Sequence, residues 1–277
     1  MNKPAQKSTS FNLFSARRYP VGEYPGLKFL TWLFFIYLYL PIAVLVVYSF
    51  NSSSRAQVWR GFSLRWYEKM FSNDAIQEAA LNSLIVAVTA TIFAVSFATL
   101  AALVIARSGK FRFRTFSLGL ITLPLVVPEI ATAVATLSFF AVIGFKLGLA
   151  SVTIAHIVFC IPFAFLPIHA RLEGMDQNLQ QAARDLYASD WQAFRYVTLP
   201  LLMPGIVAGA MLSFIISLDD FIITMMVAGA GATTLPIYIY GMIRVGLTPE
   251  VNAISTVLLL VSVVFITLYW ITNRKTK

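Results

Sequence analysis

Long apolar runs separated by short polar intervals set the plan of this chain. Six runs, at about 29–50, 80–106, 116–143, 151–170, 201–228 and 253–272, reach the roughly 20 residues a helix needs to cross the hydrocarbon layer. The pattern predicts an all-α integral membrane protein with six transmembrane helices. Pro124 and Pro128 fall inside the third run and Pro162 and Pro167 inside the fourth, so kinks are expected there. The first run is longer than the apolar stretch of a signal peptide and lacks a small-residue cleavage site, which makes it a retained span. The polar interval after it carries Trp59, Phe62, Trp66, Tyr67 and Phe71. That spread suits a helix lying at the membrane interface, with an ordinary amphipathic loop as the alternative.

The interval from Gly174 to Gly205 differs in kind. Leu179, Ala182, Ala183 and Leu186 recur at helical spacing, while Arg184 and Asp185 fall off that stripe. A short helix here presents one apolar face that requires a partner. Ser189 and Gln192 have the S-x-x-Q spacing of a capping box, which predicts a second helix running to Val197 before Leu199-Pro200 opens the fifth span. A break near Tyr187-Ala188 is expected between the two.

Composition agrees with the pattern: 58% of the 277 residues are hydrophobic and 12% charged, which is more apolar than a soluble domain needs for its core. A net charge of +9 would point to nucleic acid in a soluble protein. Here the basic residues flank the apolar runs, so no nucleic-acid partner is expected. With the N-terminus inside, 15 of the 21 Lys and Arg residues fall on the cytoplasmic side. The positive-inside rule then places both termini, the basic segment 1–28, the loop at about 171–200 and the tail 274–277 in the cytoplasm, around a membrane domain at 29–273.

Little in the chain suggests chemistry of its own. The single cysteine, Cys160, lies inside an apolar run, which excludes an intramolecular disulfide and a cysteine metal cluster. Gly109-Lys110 is followed by Phe111 and lacks the glycine spacing of a phosphate loop, so ATP, if it drives this protein, is bound by another chain. His156 and His169, in or beside the fourth run, read as packing or hydrogen-bonding residues instead of metal ligands. The expectation is of no metal, no cofactor and no catalytic residues.

Three carboxylates interrupt the apolar runs: Glu129, directly after Pro128, and the pair Asp219-Asp220 in the fifth run. No Lys or Arg lies within any run, so none has a cationic partner of that kind in its own layer. An ionised group near the middle of a membrane helix costs at least ~2.5–3.5 kcal/mol and usually faces a cavity, a partner or a pathway. A cationic solute would compensate that charge, which makes Glu129, Asp219 and Asp220 candidates for a substrate pathway. The competing reading is structural. Either aspartate then caps a helix break or is satisfied by backbone donors or by Arg244, and Glu129 caps the second half of a broken helix.

Gln181-Ala182-Ala183, Tyr187 and Val197-Thr198-Leu199-Pro200 resemble the EAA loop of ABC-importer membrane permeases, with Gln181 at the usual Glu position and Tyr187 at the usual Gly position. The resemblance implies the type I importer permease (MetI-like) fold. It also implies that this loop is the coupling helix, docked on an ATP-hydrolysing subunit through Leu179, Gln181, Ala182, Ala183, Asp185, Leu186 and Tyr187. Further runs, YSFNSS (48–53), W-x-G-F-S-x-R-W-Y (59–67), SLDD (217–220), GATTLP (231–236) and PEVNA (249–253), are similar to the spermidine/putrescine branch of that family.

That similarity implies a non-enzymatic permease of the bacterial inner membrane, multi-pass in the lipid bilayer and paired with a second permease subunit as a heterodimer. Two ATP-binding subunits and a periplasmic solute-binding protein complete the assembly. It would translocate a small cationic metabolite, a polyamine such as putrescine or spermidine, or another small polar solute. An ion-coupled secondary transporter using Asp219 and Asp220 is the alternative from another class. It favours an internal inverted repeat with discontinuous helices paired between halves, and no such self-similarity is visible in the sequence. A membrane scaffold that binds a soluble protein through the loop would leave the carboxylates without a role.

Overall fold

The computed structural model describes residues 26–55, 58–107, 113–176, 178–246 and 248–274, without the side chains of Arg107, Gln180 and residues 268–274. The basic segment up to residue 25, residues 108–112 with Gly109-Lys110, and the last three residues of the tail lie outside the described residues. Within them the regular structure is helical, apart from one antiparallel bridge between Asn51 and Phe62. The helices are α1 (Leu27–Ser49), α2 (Arg65–Phe71), α3 (Asp74–Arg107), α4 (Arg114–Val126), α5 (Glu129–Val142), α6 (Leu149–Glu173), α7 (Asn178–Asp185), α8 (Asp190–Ala193), α9 (Leu199–Asp219), α10 (Ile222–Val227), α11 (Leu235–Val245) and α12 (Pro249–Arg274). A π-helical turn at Phe194–Thr198 joins α8 to α9. It precedes Pro200 and Pro204, whose missing N–H groups weaken the regular ladder there.

Among the described residues, five helices are long and apolar enough to cross a membrane, and α4 with α5 makes a sixth if the pair is one broken span. Its two halves meet at 107°, so the third run is not a kinked rod. Pro128 disfavours the helical region for the residue before it. Val127 is accordingly extended, at φ −74° and ψ 134°, and α5 restarts at Glu129. By contrast, α6 runs through Pro162 and Pro167 unbroken. The fifth run also divides, because the long helix ends at Asp219, Asp220 is extended at ψ 129°, and α10 follows as a separate short helix. The second run begins earlier than its apolar residues indicate, at Asp74.

The α3 helix is the spine of the unit from Tyr48 onward, its 34 residues spanning about 50 Å. Ala87, Ala90, Ala94, Ala98 and Ala102 are fully buried along one stripe, against which α6 and α9 pack. On α9 a Cβ added at Gly209 would sit 2.7 Å from the Ala164 carbonyl oxygen, and one at Gly205 would sit 2.8 Å from Arg171 Cβ. Between lipid-embedded helices the hydrophobic effect gives little, and association rests on this close approach of small residues. Buried clusters mark three levels along α3. Ile76 and Ala79 meet Met70, Leu235 and Ile254 at its start. Val86 meets Phe140, Phe159 and Ile223, and Ala98, Ala102 and Ile105 meet Phe165, Ile168 and Leu202 at its end.

The aromatic interval after α1 is helical only over α2, and Trp66 lies inside the protein instead of at a lipid surface. Its indole N–H donates to the Asn51 carbonyl at 2.7 Å. Asn51 is itself fully buried, with its amide donating to the Val58 carbonyl and its Oδ1 accepting from the Ser53 and Arg60 N–H groups. The YSFNSS and W-x-G-F-S-x-R-W-Y runs thus share one hydrogen-bonded corner.

Candidate translocation site and coupling loop

The two helix breaks come together. Asp220 is buried, at 6% exposure, and its carboxylate accepts hydrogen bonds from the N–H groups of Ile223 (3.3 Å) and Thr224 (2.9 Å) and from the Thr224 hydroxyl (2.8 Å). It therefore caps α10 as an N-terminal acid does elsewhere. His156 on α6 lies against the same carboxylate, with Nε2 3.1 Å from Oδ2, 2.8 Å from Thr224 Oγ1, and Nδ1 2.7 Å from Ser217 Oγ. The Thr224 hydroxyl spends its proton on Asp220, so its oxygen accepts from His156 Nε2–H, which fixes where that ring carries a proton. Glu129, the first residue of α5, lies near Asp220.

Asp220 thus has partners, contrary to the expectation of three uncompensated carboxylates. That expectation looked for Lys or Arg and passed over a histidine on the neighbouring helix. The structural reading holds for Asp220, while His156 has the hydrogen-bonding role expected of it. Cys160 is a buried core residue whose thiol meets the Ser213 carbonyl. Among the described residues no three His, Cys, Asp or Glu side chains are placed to hold a metal ion.

Asp219, one residue earlier, is exposed and lines a cleft of ≈510 Å³ with Phe221, Pro236, Tyr240, Ser255 and Ser262. The Phe221 and Tyr240 rings pack 4.7 Å apart, centre to centre. A carboxylate beside two aromatic rings and two hydroxyls is a surface that attracts an organic cation. The loop after α10 closes against α3 by contacts that the apolar pattern did not reveal. Asn82 donates to the Gly231 and Thr233 carbonyls, and the Ser83 hydroxyl accepts from the Leu235 N–H. Their only sequence signal is a polar pair, Asn82-Ser83, early in an otherwise apolar helix.

At the other end of α3, α7 ends in a Schellman motif. The Ala188 N–H bonds the Ala183 carbonyl and the Tyr187 N–H the Arg184 carbonyl, with Tyr187 at φ 59° where glycine is usual. Tyr187 is the only non-glycine residue with positive φ among those described. Its ring is 98% exposed and Leu186 is 82% exposed. Leu179, Gln181, Ala182 and Asp185 are exposed too, and Ala183 is half-buried. The capping box forms, with Ser189 Oγ accepting from the Gln192 N–H and Gln192 Oε1 from the Ser189 N–H. Arg184 meets Asp190 at 2.9 Å across the turn, an exposed pair that contributes little. The loop is ordered by its backbone and leaves its apolar side chains outward.

Residues 98–277 match the model of the binding-protein-dependent transport system inner membrane component. The chain belongs to this family. It is therefore an inner-membrane transport permease, with ATP hydrolysis housed in a separate subunit. The spermidine/putrescine transport system permease protein PotC of Escherichia coli (strain K12) is 40% identical over 232 residues, 84% of this chain and 88% of the relative. The putrescine transport system permease protein PotI of the same organism is 38% identical over 246 residues, 87% and 88% of the two chains. In fold the chain is similar to a bacterial ABC transporter involved in the import of the acidic polysaccharide alginate, with a TM-score of 0.67 at 16% identity over 90% of this chain and 94% of that one. The MetNI methionine ABC transporter gives 0.61 at 19% identity, over 72% and 94%. The family and these folds confirm the all-helical importer-permease class.

Proposed function

We propose that this chain is one of two membrane permeases of an ATP-driven importer, and that it passes a small organic cation of the polyamine class delivered by a periplasmic binding protein. The observation that carries the substrate class is Asp219, exposed on a cleft that Phe221 and Tyr240 also line. A polyamine offers ammonium groups to the carboxylate and methylenes to the rings. The names of PotC and PotI support the same class. In this reading Asp220, His156 and Thr224 hold the broken helix that presents Asp219, Glu129 supplies further negative charge, and affinity stays with the binding protein so that release is fast. Both termini and the loop of α7 and α8 face the cytoplasm, as the distribution of Lys and Arg favours. The outward side chains Leu186 and Tyr187, with Leu179, Gln181, Ala182, Ala183 and Asp185, dock on an ATPase subunit.

The secondary-transporter alternative finds the discontinuous helices it favours, but membership of the binding-protein-dependent family speaks against it. The test is uptake of radiolabelled putrescine and spermidine by proteoliposomes holding both permeases and the ATPase, with loaded binding protein outside. Uptake that requires ATP on the ATPase side is expected. Uptake driven by an ion gradient without ATP, or no uptake of either amine, would overturn the proposal.

A further inference from the structure

A second buried carboxylate lies at the start of α3, the end away from α7 and α8. Glu250, in the first turn of α12, is 2% exposed, and Lys69 of α2 holds its Oε2 at 2.6 Å. Its other oxygen, Oε1, is buried with no hydrogen-bond partner, and the Thr248 hydroxyl two residues earlier is in the same condition. Leaving a buried carboxylate oxygen unpaired is costly, and such a group calls for a ligand or ion. Glu250 and Thr248 border one cleft of ≈480 Å³, whose other walls include Thr233, Ile237, Tyr238 and Met242. The GATTLP and PEVNA runs both contribute to it, through Thr233 and Glu250.

We propose that this cleft binds a primary ammonium on a short aliphatic stem, at a site separate from the Asp219 cleft. A shift of the Glu250 and Thr248 side chains toward the cleft brings both oxygens, now shut off from water, within reach of the ammonium, which donates to Glu250 Oε1 and Thr248 Oγ1 while the methylenes lie against Ile237 and Met242 beside the Tyr238 ring. The carboxylate already holds one group of this chemistry, the Lys69 side chain. Calcium or magnesium fits less well, because each takes six or more oxygens and the wall offers one carboxylate. The ammonium has two possible sources: an amine on its way into the pathway, which rests on the importer reading, or a lysine of the docked binding protein.

Thr233→Cys gives a reporter, because Thr233 is exposed on the cleft and the one native cysteine, Cys160, is buried. Maleimide labelling is timed on the complete importer in detergent, with 1,4-diaminobutane alone or with amine-free binding protein alone. Slower labelling with the diamine alone assigns the site to the solute, and slower labelling with the binding protein alone assigns it to a lysine of that protein. Adding Glu250→Gln, which keeps the shape and removes the charge, raises the protecting concentration about tenfold or more. Adding Lys69→Met frees the carboxylate and leaves protection equal or stronger. No protection by either agent would overturn the proposal, as would protection indifferent to Glu250→Gln. Equal loss in Glu250→Gln and Lys69→Met, with equal loss of thermal stability, would reduce the pair to a latch between α2 and α12. Each of these results can occur while ATP-driven uptake proceeds, so failure here is distinct from failure of the importer reading.

Discussion

The break at Asp219–Phe221 and the turn at Leu186–Ala188 each hold a residue that its surroundings disfavour: a carboxylate in an apolar layer and a tyrosine at positive φ. The first is completed inside the chain. Asp220 receives two backbone N–H groups, a hydroxyl and an imidazole, all within 3.3 Å. The second is completed only in its backbone, where two hydrogen bonds close the turn while the Tyr187 ring and Leu186 stay outward. An internally satisfied oddity serves the fold, and one that leaves its side chains outward is where the proposed function seats another molecule. Asp219 and Asp220 show the same contrast one residue apart.

The contrast is sharpest at Asp220. Asp220→Ala leaves the Thr224 hydroxyl and the first N–H groups of α10 without their acceptor, and a loss of about 3–5 kcal/mol follows. It is read as a lower melting temperature of the detergent-purified complex. Asp219→Ala, at an exposed position, changes stability by under about 0.5 kcal/mol, and equal losses in the two variants would erase the distinction. Next comes Ala183→Asp, which places a charge in the expected ATPase contact at about 2 kcal/mol or more. Membrane insertion persists while co-purification with the ATPase falls, and undiminished co-purification would move the docking face elsewhere. The smallest effect is at Tyr187. Tyr187→Gly relieves up to ~1 kcal/mol of backbone strain, yet it removes the outward ring, so ATPase affinity drops severalfold. Unchanged or tighter affinity would show that the ring makes no contact.

Much of this was legible in the sequence because it is periodic or local. The apolar runs gave five of the crossing helices, and Ser189 with Gln192 gave the capping box. The Ala183–Tyr187 spacing gave a helix end at a position where glycine is usual. What stayed hidden depends on side chains meeting across helices. A proline in a span marks a weak point, but Pro128 breaks the third run by 107° while Pro162 and Pro167 leave α6 intact, because neighbouring helices decide how freed backbone groups are satisfied. His156 lies 64 positions before Asp220 and Lys69 lies 181 before Glu250, and no local pattern joins residues so far apart. Small residues were equally silent, since Gly205 and Gly209 reveal their role only once α6 lies against them.

In the proposed function Asp219 faces the path of a cation while Asp220 holds the helix break that presents it. ATP-driven uptake of 1,4-diaminobutane by proteoliposomes of the complete importer, compared between the native chain and Asp219→Asn, tests it most directly. A drop of about tenfold or more in uptake is expected, from one lost charge-assisted contact, with melting temperature and ATPase co-purification unchanged. Native uptake in Asp219→Asn, or a fall matched by loss of assembly, would contradict it.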